Sequence, residues 1–150
     1  VNTYHQVYIQ AGFTVKYREA FSINTGGKTF AVIGNLINET GCKTIIVNGV
    51  EDHVHCFLGL KPTVSISESM KTVKANLQNI SMTTGLLYRF EWQVGYGAFS
   101  YSHSQINDVY NYLANQEKHH HKESFKEEYL KFLEKFEVPY DERYFFEDLT

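Results

Sequence analysis

Two pairs of side chains in this sequence could do chemistry. His53 and His55 are two residues apart, and in an extended strand such residues project from the same face. Two imidazoles held side by side on a rigid strand make half of a metal site. Val54, Cys56 and Leu58 would then turn to the opposite, core-facing side. The same spacing also describes two exposed histidines at the end of a hairpin, and in a chain with seven histidines the pair alone does not choose. Glu51 and Asp52 read as turn residues, with orientation of the imidazoles as the alternative.

The second pair is a tyrosine and an amide at helical spacing. From Ser104, which reads as an N-cap, Ile106, Val109, Tyr110 and Leu113 form an apolar stripe. Tyr112 lies about a quarter-turn from the centre of that stripe. Gln116 follows at i+4 on the Tyr112 side, with His119 and His120 one turn on. Tyr110 reads as core, so Tyr112 is the tyrosine expected to react; its bland alternative is a boundary ring with its hydroxyl in water.

A phenol with a pKa near ~10 is a weak nucleophile at neutral pH. It becomes effective against a phosphodiester whose charge is stabilised by a metal. Two imidazoles and the Gln116 carbonyl form a mixed nitrogen and oxygen set, which suits Mg²⁺ or Mn²⁺ with open positions better than a closed zinc site. The run His119-His120-His121 cannot converge on one ion, because consecutive helical residues splay by about 100°. His120 reads as helix end, with support of the metal site or contact to a phosphate as alternatives.

The elements that must position these residues follow from periodicity. Strands are expected over 4–16, 43–48, 53–60 and 93–100, with a turn at 49–52. Helices are expected over 28–39, 65–80, 104–119 and 125–135. No repeat or low-complexity linker interrupts the chain, so 1–150 reads as one domain. The order describes an α+β fold, a split βαββαβ unit of ferredoxin-like or RRM-like kind. Its antiparallel sheet would carry helices on one face, leave the other free for a site, and be followed by C-terminal helices bearing the nucleophile.

Composition bounds the partners only loosely. At 43% hydrophobic and 15% aromatic the chain is globular in character. A net charge of −3 argues mildly against nucleic acid, but acidic residues crowd the last third and leave room for a local basic face. Cys42 and Cys56 stand in no metal-like spacing, which suggests a reduced, cytoplasmic protein. No apolar run approaches the ~20 residues of a membrane span.

With these motifs in place, the chain resembles the single-tyrosine HUH transposases of small bacterial insertion sequences. The resemblance is carried by DHVHCFL at 52–58, VYNYLANQEKHH at 109–120, WQVGYGAFS at 92–100, and YIQ at 8–10 with VKYRE at 15–19. It implies a transesterification in which Tyr112 attacks a single-stranded DNA phosphodiester, frees a 3′ hydroxyl and becomes linked to the 5′ phosphate. His53, His55 and Gln116 would hold the divalent metal. The resemblance further implies recognition of DNA hairpins at element ends and a homodimer, with the tyrosine of one subunit able to serve the histidines of the other. Lys16, Arg18, Lys71 and Lys74 are then candidates for DNA contacts at the sheet edges, with exposed aromatics stacking bases. Competing readings are a domesticated nuclease nicking chromosomal repeats, a non-catalytic RRM-like binding module, and a water-using metal phosphoesterase.

Overall fold

Alternation of side chains along the chain's most apolar strands builds the centre of the molecule. A computed structural model describes residues 3–14, 26–50, 53–84, 92, 95–116 and 125–141. Strand β1 is Tyr8–Thr14, β2 is Lys43–Val50, β3 is His53–Gly59 and β4 is Gly97–Tyr101. They form one sheet in the order β2-β3-β1-β4, with every neighbouring pair antiparallel. Helices α1 (Gly26–Glu39) and α2 (Ile66–Thr84) follow β1 and β3. The α+β expectation and the order of a split βαββαβ unit are met.

Alternation decides which side chains meet those helices. Ala11, Phe13, Val54, Cys56 and Leu58 pack with Ile33, Leu36 and Ile37 of α1 and Met70, Val73 and Leu77 of α2. Ser65 accepts a hydrogen bond from the Glu68 amide at 3.1 Å, which satisfies one orphan donor at the start of α2. Helix α1 stops at Gly41, whose φ of +93° is the left-handed conformation that closes helices. Strand β2 runs on to Val50, so the expected turn is shorter, and residues 51–52 lie outside the described ones.

The second face of the sheet departs from expectation. It is not free: α3 (Ile106–Ala114) and α4 (Phe125–Lys135) cover it. Phe57 is buried with Val109 and Leu113 of α3, and Phe99 with Tyr129 and Leu133 of α4. Aromatics expected to stack bases are thus spent on core. Gly97 makes the close approach of α4 feasible, since a Cβ there would lie 2.5 Å from the Tyr129 hydroxyl.

The helix expected over 104–119 is also broken. Ser102 opens a 3₁₀ turn at His103–Gln105, and the Gln105 side chain accepts the Ser102 amide hydrogen at 3.0 Å. Ser104 therefore sits inside that turn, and Gln105 caps α3. Helix α3 closes at Asn115, and 117–119 lie outside the described residues. Tyr110 is exposed, not core. The buried stripe centres on Val109 and Leu113, and at about 100° per residue Tyr110 falls on its outward flank and Tyr112 on the opposite one.

Candidate active site

Strand β3 occupies an interior position in the sheet, so its side chains are screened by strands on both sides. His53 and His55 share the face under α3 and α4, with 0% and 2% of their surface exposed. Their rings stand edge to face with centroids 5.3 Å apart. Burial overturns the alternative of two exposed hairpin histidines. It also raises the need for polar partners, because an unsatisfied imidazole here is costly.

Those partners come from three elements. Helix α4 delivers Glu128, itself 1% exposed, and its Oε1 lies 2.7 Å from His55 Nε2. The other carboxylate oxygen accepts a hydrogen bond from the Tyr112 hydroxyl. It also accepts one from Gln116 Nε2 at 3.2 Å. Strand β1 supplies Gln10, whose Nε2 is 3.1 Å from His55 Nδ1, while its Oε1 accepts the Tyr101 hydroxyl at 3.1 Å. Burial, and then the charge of Glu128, push the Tyr101 phenol up to about 12, so Tyr101 stays a neutral donor.

The donor set fits a divalent cation. His53, His55 and Glu128 each offer one ligand atom, and these atoms lie within 4.8 Å of one another. Two nitrogens and one carboxylate oxygen leave further positions of a six-coordinate ion to water or phosphate oxygens. Among the described residues, the buried Thr14 Oγ1 has no hydrogen-bond partner, and Thr14 is the register partner of His53. A hydrated ion in this site would bring polar groups to that corner. Gln116, buried and beyond the end of α3, is coupled to Glu128 through its amide nitrogen.

The structure thus gathers Tyr112, His55 and Gln116 around Glu128, with His53 alongside. All belong to one chain. Lys71 and Lys74 lie on α2, which packs against the opposite face of the sheet. Lys74 is half-buried, donates to the Gly95 carbonyl at 2.8 Å and sits 5.7 Å from the Trp92 ring. Lys16, Arg18, Glu51, Asp52 and His119 to His121 lie outside the described residues.

Sequence reasoning missed Glu128 and Gln10. Glu128 was one of many acidic residues in the last third. Its only signal is position, one turn before Phe132 on the flank of an apolar stripe. Gln10 is the polar interruption of an otherwise apolar strand, on the face that His55 shares across the Gly12 pairing.

A family model described as Transposase IS200 like matches residues 3–116. That is most of the chain. This protein belongs to the IS200-like transposase family. Two solved structures share its fold. One is described as a transposase from Deinococcus radiodurans R1, 15% identical, with a TM-score of 0.60 over 77% of this chain and 95% of that one. The other is described as a REP-associated tyrosine transposase bound to a REP hairpin, 13% identical, with a TM-score of 0.58 over 80% of this chain and 72% of that one. A comparison with curated proteins finds no match. The family match ends at Gln116, so this transposase's Glu128 and the whole of α4 lie beyond it. Among the described residues, no helix is long and apolar enough to cross a membrane.

Proposed function

We propose that this transposase cleaves and rejoins single-stranded DNA through a covalent bond between Tyr112 and a 5′ phosphate, using a divalent metal held by His53, His55 and Glu128. The observation that carries the reading is the convergence of the Tyr112 hydroxyl and His55 on one buried carboxylate. When bound, the metal would stabilise negative charge on the phosphate oxygens. Mg²⁺ and Mn²⁺ both suit the donor set. Gln116 would act by holding Glu128 in place through its amide nitrogen.

The residues of the chain do the rest. Glu128 accepts the Tyr112 hydrogen bond and is placed to take the phenolic proton as the phenol oxygen bonds to phosphorus. The bond to the 3′ oxygen breaks, and that oxygen leaves as a 3′ hydroxyl with the proton that Glu128 gives back. Run backwards with a different 3′ end, the same exchange joins strands without another energy source. The solved neighbour named for its REP hairpin supports a hairpin-bearing substrate for this chain as well. A homodimer remains part of the proposal, with each site built from one subunit.

The test is incubation with labelled single-stranded DNA carrying a hairpin, in Mg²⁺ or Mn²⁺, followed by a denaturing gel. Wild type and Tyr110→Phe should form a covalent adduct, while Tyr112→Phe binds DNA and forms none. Adduct with Tyr112→Phe but not Tyr110→Phe would overturn the assignment.

A further inference from the structure

Beside Tyr112 the space between α3 and α4 opens into a cleft of about 440 Å³. Tyr112 and Glu128 line it, together with the rings of Tyr101 and Phe132. Lys131 and Lys135 of α4 also line it and are both exposed. We infer that this cleft seats the single-stranded nucleotides flanking the scissile phosphate, with Lys131 and Lys135 on the DNA backbone.

Three features argue for that occupant. The lysines are four residues apart on one helix and so share a face, with about 5–6 Å between their Cβ atoms. Two flexible ammonium groups at that spacing can follow successive phosphates. Lys135 Nζ lies 5.9 Å from the Tyr101 ring, so a positive charge and an aromatic face are offered together, as single strands require. Asp108 lines the α3 side of the cleft and repels phosphate, which directs the backbone to the α4 side. Duplex DNA has no unpaired base to set between the rings, so the cleft selects single strands.

The inference rests on the transposase reading but extends it, because α4 lies outside the residues that the family model matches. The test measures binding of a labelled hairpin with a single-stranded flank, and of the same hairpin without it, over a range of NaCl and without added metal. The proteins are wild type and the Lys131→Gln, Lys135→Gln double variant. Each phosphate contact on a single strand contributes about 0.7 to the slope of log K against log salt, so the double variant should lose about 1.4 on the flanked DNA. Its slope on the blunt hairpin should stay unchanged. An unchanged slope on flanked DNA overturns the cleft, and so does an equal loss on both DNAs. Adduct formation by wild type reports on Tyr112 separately. A slope loss without any adduct upholds the cleft and refutes the nucleophile; an adduct without slope loss does the reverse.

Discussion

Replacing Glu128 by Gln separates its charge from its shape. The side chain keeps its length and can still accept a hydrogen bond from Tyr112, but the site loses its carboxylate. Glu128 touches His55 directly and belongs to the trio whose ligand atoms lie within 4.8 Å. Groups that merely support metal ligands typically contribute 10–100-fold to affinity, so a direct anionic ligand should contribute at least about 100-fold. Linkage converts this into stability. At a metal concentration of 100 times the wild-type Kd, the metal stabilises wild type by about 2.7 kcal/mol. In Glu128→Gln the same concentration only equals Kd and adds about 0.4 kcal/mol. For a chain of 150 residues this means a rise in Tm of roughly 5–11 °C for wild type and about 1–2 °C for the variant. Thermal melts with and without Mn²⁺, alongside calorimetry, measure both quantities. Gln116→Ala should lose less, about tenfold, because it removes a neutral partner of Glu128. Equal Tm rises in wild type and Glu128→Gln, or a larger loss in Gln116→Ala, would refute the metal set.

Gln10→Leu removes the amide that faces His55 Nδ1 and should lower Mn²⁺ affinity by about 10–100-fold with the sheet intact; calorimetry and circular dichroism check the two halves. Mixing Tyr112→Phe with His53→Ala under confirmed subunit exchange should yield no adduct. The tyrosine and histidines meet inside one chain, so every site in a mixed dimer keeps one defect. Recovered activity would instead place the Tyr112 helix on the neighbouring subunit.

The sheet was legible because its signals are local. Period-two alternation around His53 and His55, an apolar stripe before Gly41, and Ser65 ahead of α2 each depend on a few neighbouring residues. The Tyr112 helix was legible in existence but not in extent. Ser102 with Gln105 and the break at Asn115 involve side-chain hydrogen bonds that periodicity does not register. Tyr110 was misplaced because a stripe drawn through four apolar residues was too wide, and the sheet buries only its centre at Val109 and Leu113. Glu128 lay beyond reach for a different reason. A carboxylate becomes a site residue only through what it meets, and His55 is 73 positions away.

The covered second face changes how the site must work. An open sheet would let DNA lie across His53 and His55, and its aromatics would stack bases as an RRM-like module does. Here Phe57 and Phe99 are buried under α3 and α4, and both histidines are sealed with them. Sealing strengthens each electrostatic contact, since charges interact more strongly away from water. Tyr112 is the half-buried member of the site, and it lines the cleft that Lys131 and Lys135 also line. On the proposed reading, DNA would reach the Tyr112 hydroxyl from the α4 side, and the helix that carries Glu128 also carries Lys131 and Lys135, proposed to receive the strand. One element would thus couple the proposed proton acceptor and backbone clamp, so a displacement of α4 should weaken DNA binding and metal binding together.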